Sequence, residues 1–249
     1  SGTNLSTGCE NIAIGCKSLG TGVVTGLYNV ALGKNSGNCL DSGNDNILIG
    51  CSAGKCITSG YSNIYLGHAA GLGLSSGATG FNNIALGQGA GYAICCANHS
   101  VFIGTNAGYY NKIGKRNVYI GCGAGRCMGQ SGGADNVALG HCAMRGSSTP
   151  GSNQRNILIG TQVQAASATG NCQLAIGNST DRWITGDNSF NVCLAGSTIK
   201  AMASGGIFCA TKFCGDGSCL TNLPSGGFEA DADLNLFASN TCSGCNLDG

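Results

Sequence analysis

Charge is scarce in this chain. Only 9% of its 249 residues are Asp, Glu, Lys or Arg, and 12 basic against 11 acidic residues leave a formal net charge of +1 at pH 7. Lys and Arg are scattered singly, and a chain without a basic stripe has little electrostatic attraction for a phosphate backbone, so no nucleic-acid partner is expected. Glutamate occurs twice, as Glu10 and Glu229, which leaves a paired-carboxylate glycosidase only scattered aspartates to use. Ser, His and Asp are present, but no segment reads as a nucleophile elbow. No catalytic residue is expected, and the chain reads as a non-enzyme. Of the three histidines, His68 and His141 stand four repeats apart, too far to share an ion, and His99 lies in a loop. The lone Cys-x-x-Cys of Cys242 and Cys245 has no second pair to complete a zinc site, so neither metal nor other cofactor is expected. Long apolar runs are missing too: none approaches the ~18 residues of a membrane-spanning helix, and no membrane insertion is expected. The opening residues SGTNLSTGCE show no charged-then-apolar leader pattern.

What the chain has in quantity is glycine (45), cysteine (17) and repetition. The glycines follow no every-third-residue period, which excludes collagen, and 42% hydrophobic residues in a periodic arrangement argue against disorder. The stretch NIAIG returns in eleven variants beginning at Asn11, Asn29, Asn46, Asn63, Asn83, Ser100, Asn117, Asn136, Asn156, Gln173 and Asn191. Ten intervals span 180 residues, a mean period of 18 with spacings of 17 to 20. A fixed period this short predicts a solenoid whose insertions fall in loops.

With the first residue of each copy numbered 0, position +1 is always Ile, Val or Leu and +3 always Ile or Leu. Alternate strand residues share a face, so +1 and +3 are expected to form the core. Position +2 reads Ala13, Ala31, Leu48, Tyr65, Ala85, Phe102, Tyr119, Ala138, Leu158, Ala175 and Cys193, with no charged or amide residue. An apolar +2 implies a strand buried on both faces, and these eleven residues are the expected interface with partner chains. Glycine fills +4 in ten copies and −3 in eight, which predicts two corners of positive φ per coil. The column Asn11, Asn29, Asn46, Asn63, Asn83, Asn117, Asn136, Asn156 and Asn191 is expected to stack as a structural ladder of amides. Small residues after the +4 corner, as in SAG, AAG and NAG, suggest a second short strand per coil. The expected fold is an all-β, parallel β-solenoid of about eleven 17–20-residue coils over residues 1–197.

The pattern in NIAIGCKSLG and NIALGQGAG resembles the left-handed parallel β-roll heads of trimeric autotransporter adhesins, and tail-fibre proteins of phages and related large viruses. The likeness covers about residues 8 to 197, although coils in the adhesin heads are shorter. It implies a homotrimer, three chains packed about an axis. Residues 208–224, FCATKFCGDGSCLTNLP, resemble the junction that follows such arrays in phage tail fibres. Gly215, Asp216, Gly217, Ser218, Leu220, Thr221 and Asn222 match it, and Cys219 stands where Gly is usual. Residues 198–224 are therefore expected to be a junction and 225–249 the start of a further array, since CNLDG echoes the opening TNLSTG. The resemblance implies a structural, adhesive segment of a virion fibre, extracellular when it works, whose partner is a host-cell surface receptor or glycan. The alternative it leaves is a bacterial adhesin head. An ice-binding solenoid would need a ladder of threonines, and no repeat position supplies one.

Three readings of the cysteines stay open: small packing residues, disulfides or metal ligands. Cys16, Cys51 and Cys122 recur at +5, and Cys39, Cys56 and Cys127 at +10. Cys39 and Cys56 fall on adjacent coils, and rungs ~4.8 Å apart lie inside the Cα range that a disulfide accepts. Loops on a rigid scaffold carry binding, and Tyr109, Tyr110 and Trp183 fall outside the strands as possible receptor contacts. The plainer reading is that they cover neighbouring coils.

Overall fold

The computed structural model describes residues 8–20, 23–74, 77–127, 133–146, 154–167, 170–187, 189 and 192–194. The chain divides into two compact units, Ser1–Ser197 and Thr198–Gly249. The second unit, with the expected junction and further array, lies outside the described residues, as does Asn191.

Each copy forms one short strand. These are β1 (Ile12–Ile14), β2 (Val30–Leu32), β3 (Ile47–Ile49), β4 (Ile64–Leu66), β5 (Ile84–Leu86), β6 (Val101–Ile103), β7 (Val118–Ile120), β8 (Val137–Leu139), β9 (Ile157–Ile159) and β10 (Leu174–Gly177). They pair in sequence order, parallel and in register, as in Ile12↔Val30 and Ile64↔Ile84. The result is an all-β parallel solenoid of about nine turns, without a helix among the described residues. The spacings of 17 to 20 cost no register because every extra residue falls outside the strands. Two expectations change here. The opposite side of each coil is built from turns, with only isolated bridges such as Ile57↔Ala78, rather than from a second strand. The parallel array also ends at β10: β11 (Arg182–Gly186) returns antiparallel to it, and the eleventh copy forms β12 (Val192–Leu194), antiparallel to β11. The reversal is made at Asn178, whose side-chain oxygen accepts from the Thr180 and Asp181 amides.

The larger correction concerns the faces. Ala31, Leu48, Tyr65, Ala85, Phe102, Tyr119, Ala138 and Leu158 are all 0% exposed within the single chain, and Ala175 and Ala13 are buried and half-buried. The +2 residues are thus the solenoid's own core, not an interface with partner chains. A three-residue strand points one side chain inward and two outward, so +1 and +3, expected as core, stand on the outer surface. Ala53, Ala70, Ala90, Ala107, Ala124 and Ala143 line the opposite wall at +7, with Leu40, Ile57 and Ile94 at +11. In several coils volume is balanced between the two walls. A Cβ on Gly71, Gly108 or Gly125 would strike the ring of Tyr65, Phe102 or Tyr119. Where +2 is only Ala13 or Ala138, the residue six further on is Leu19 or Met144. Such complementarity is what a core packed to crystal density requires.

From Asn29 to Asn156 the asparagines at position 0 are buried, and with the half-buried Asn11 they tie coil to coil. Asn46 Oδ1 accepts from the Asn63 backbone amide at 3.1 Å and from Asn63 Nδ2 at 3.0 Å, and Asn63 Nδ2 also donates to the Gly80 carbonyl at 2.9 Å. The same three bonds recur from Asn11 to Asn29, from Asn29 to Asn46 and from Asn63 to Asn83. Ser100 carries the column on through its hydroxyl, which accepts from the Asn117 amide. Gln173 ends it by turning its side chain to Ser167.

This ladder explains the glycines at −3. Their φ is not positive, contrary to expectation. They are close-approach residues: a Cβ on Gly8, Gly60 or Gly80 would lie 2.5 to 2.6 Å from the carbonyl oxygen of the equivalent residue in the next coil, which is the oxygen the asparagine amide holds. Positive φ appears instead at +4, where Gly15 through Gly177 take +120° to +148°, values that side chains oppose. It appears also at −1, on residues as varied as Tyr28, Asp45 and Arg116.

Two buried polar features interrupt the pattern. The Tyr65 and Tyr119 hydroxyls reach the asparagine column beside Asn83 and Asn136, but neither makes a well-aligned hydrogen bond. Asn111 occupies the +11 position of Leu40, Ile57 and Ile94, in the coil where Ser100 replaces the ladder asparagine, and neither atom of its buried amide has a partner.

Three outcomes follow from this interior. Asn63→Leu leaves the Asn83 amide and the Gly80 carbonyl without their partner, and should lower unfolding free energy by roughly 2–5 kcal/mol in chemical denaturation. Asn111→Leu removes an unsatisfied amide and should raise it by about 1–3 kcal/mol. Burial pushes the Tyr65 and Tyr119 hydroxyls well above the ordinary tyrosine pKa. A raised folded-state pKa means stability that is complete below the unfolded value of about 10 and lost as pH climbs past it. Absorbance at 295 nm should show these two of the seven tyrosines ionising only as the chain unfolds. A Tyr65→Phe/Tyr119→Phe variant should lose the delayed step. Free titration of all seven in the folded chain would refute the account.

Candidate interaction surfaces

In-register stacking turns any residue that recurs at one repeat position into a column on the surface. The first such surface is the outward face of β1–β10. Its two columns, +1 and +3, contain only Ile, Val and Leu, from the exposed pair Ile12 and Ile14, the latter 62% exposed, to Ile64, Leu66, Ile120 and Ile157. Ten rungs at ~4.8 Å make an apolar stripe about 43 Å long. Monomeric soluble proteins rarely leave so continuous a patch open to water.

The second surface follows position +9. The residue after each +9 donates its amide to the +9 carbonyl of the next coil: Gly73 to Tyr92 and Ala93 to Tyr109 at 2.9 Å, Tyr110 to Arg126 at 3.0 Å, Cys127 to Arg145 at 2.9 Å. Tyr92, Tyr109, Arg126 and Arg145 are therefore successive rungs of one ridge. The Tyr92 and Tyr109 rings stack at 4.4 Å and 2°. Tyr110 meets Tyr109 edge to face at 4.7 Å, and the Arg126 guanidinium carbon lies 5.8 Å from the Tyr109 centroid. Burial, then the Tyr92 and Tyr110 rings, raise the Tyr109 hydroxyl pKa, and Arg126 opposes them. Of the aromatic residues expected from the sequence to make contacts, Tyr109 and Tyr110 are thus brought together. Tyr109 is itself packed between neighbouring coils, whereas Tyr110 is open. Trp183 is 64% exposed on β11, beyond the last parallel rung. Sequence reasoning missed Tyr92, Arg126 and Arg145, although their shared +9 register was there to be read.

A third surface runs beside the start of the strands. Tyr61 and Phe81 stack at 4.7 Å and His99 meets Phe81 edge-on at 5.2 Å. One coil beyond His99, Arg116 holds both Asp135 oxygens at 2.5 and 2.8 Å. These bonds to the guanidinium keep the Asp135 carboxyl below its usual range. The pair is solvent-exposed, so it contributes little to stability.

The eleven cysteines whose side chains are described are thiols, and none forms a disulfide. Cys39 and Cys56 occupy neighbouring rungs, their amides bonded to Lys55 and Leu72 of the coils that follow. Burial, and then the adjacent Cys39, raise the Cys56 thiol pKa, which favours the unreactive protonated form. Cys16, Cys51 and Cys122 are exposed at +5, just after the glycine corner. Among the described residues no three His, Cys, Asp or Glu side chains gather closely enough to hold a metal ion, and no helix is long and apolar enough to cross a membrane. No protein-family model, curated protein or solved structure matches this chain.

Proposed function

We propose that the chain is a stiff, structural segment of a homotrimeric attachment fibre carried on the outside of a virion. The observation that carries this reading is the bare apolar stripe along one side of the solenoid. Twenty aliphatic side chains, two on each of ten strands, form it, and a contiguous apolar patch of that extent is rare on a monomer. A stripe that runs the length of the rod suits identical rods laid side by side and closed by cyclic symmetry. The trimer is thus proposed through +1 and +3, the outward columns, and not through +2. Work in such a fibre is geometric: a rod holds a contact surface at a distance, and repeated coils offer the same weak contact many times over. The likeness of Gly215–Asn222 to a tail-fibre junction favours a virion fibre over a bacterial adhesin head, and the stripe is compatible with both.

Light scattering of the purified chain should give three times the 24.7 kDa chain mass. Ile64→Lys with Ile120→Lys should reduce it to one chain with the β circular-dichroism signal kept, since both residues are on the surface. Ala85→Asp or Ala138→Asp should instead unfold the chain, because each would place a charge in the core. A clean wild-type monomer at micromolar concentration refutes the trimer.

A further inference from the structure

We infer that the +9 ridge of Tyr92, Tyr109, Tyr110, Arg126 and Arg145 is a binding site for an acidic polysaccharide, whose sugar hydroxyls meet the tyrosines and whose sulfate or carboxylate groups meet the guanidinium groups. The inference rests on the attachment reading above and names the class of surface molecule attached.

Four observations carry it. The cations of this ridge are unspent: the described residues contain one ion pair, Arg116 with Asp135, and it belongs to the other ridge. Among the described residues neither Arg126 nor Arg145 has a carboxylate partner, and the Arg126 guanidinium carbon lies 5.8 Å from the Tyr109 ring centroid. Guanidinium groups without an ion-pair partner suit sulfate and carboxylate oxygens, which they grip in pairs.

The charge of the rod is also uneven in the right place. Residues 8–97 balance Lys17, Lys34 and Lys55 against Glu10, Asp41 and Asp45, whereas residues 98–180 carry six Lys or Arg and the single acid Asp135. The ridge crosses into that basic half, so an anionic chain is drawn to it over a longer range than its own two arginines would reach.

The aromatic half discriminates among anions. The Tyr92 and Tyr109 rings cover one another's faces, so they cannot take a nucleobase between them. What they offer is adjacent hydroxyl-bearing edges, which can donate to and accept from sugar hydroxyls. Tyr110, exposed and set edge-on to Tyr109, supplies an open aromatic surface at the flank. Finally, four rungs at ~4.8 Å set these groups along about 14 Å of a rigid axis. A ligand chain lying along the rod meets them in turn, with no loop to be ordered on binding.

The test uses the full 249-residue chain and fluorescent hexasaccharides at physiological salt. A heparin-derived hexasaccharide or a hexamer of galacturonate should bind, and the neutral maltohexaose should not. Arg126→Gln with Arg145→Gln should weaken binding at least about tenfold, the loss of one or two charge-assisted hydrogen bonds, and Tyr110→Ala should weaken it several-fold. Lys17→Gln with Lys34→Gln, on the first coils, should leave it unchanged. Circular dichroism and oligomer mass should be the same throughout, with Arg145→Gln alone as the milder variant. The proposal is overturned if neither acidic sugar binds, if the arginine variants bind as wild type, if the lysine control loses as much, or if a short oligo(dT) binds as tightly. Oligomer mass separates the two readings: a monomer that still binds through the ridge sinks the fibre and keeps the site, and a trimer that binds neither sugar does the reverse.

Discussion

Coil spacing is the constraint from which the rest of this structure follows, and a buried amide enforces it. A ladder asparagine accepts from the backbone amide of the next rung, in five coil pairs also from the next asparagine's side chain, and its amide donates to a carbonyl at the next coil's corner. No other side chain of that length offers an acceptor and two donors in one plane. Because the column is buried, a missing member leaves orphaned groups rather than groups that water can satisfy. The corner carbonyl must also come close, and this excludes a Cβ at −3. One repeated residue thereby dictates another three places before it.

A coil held this tightly has room inside for one side chain per strand. The interior is filled by +2 from one wall and by small residues from the other, with glycine opposite tyrosine or phenylalanine and, in two coils, leucine or methionine opposite alanine. Aliphatic residues at +1 and +3 are then forced outward by strand geometry alone. Much of their apolar surface is left uncovered by the single chain. It is the physical ground for the proposed association between chains.

The outer surface inherits the same regularity. With rungs in register, two tyrosines one period apart become a face-to-face stack, and an arginine one period further lies over the ring. Cysteine suits such columns as a small, weakly polar residue that packs against its own copies. The thiols of Cys39 and Cys56, side by side yet unbonded, fit that role. The insertions that lengthen some coils to 20 residues leave these columns undisturbed, so surface chemistry can vary along the rod while its spacing does not.

The solenoid architecture, the period, the stacked asparagines and the +4 corners were legible in the chain itself, because each depends on one residue type recurring at one interval. The direction in which a strand faces was not. Alternation shows that +1 and +3 share a side and +2 takes the other, but three apolar positions in a row carry no sign of which side is inside. Coil width decided that, and it emerges only when the turns between strands are closed. The glycines at −3 were misread for a related reason, since close approach and positive φ leave the same mark in a sequence. The Tyr92–Tyr109–Arg126–Arg145 ridge, spread over 54 positions of the chain, became a single surface only when the coils stacked in register.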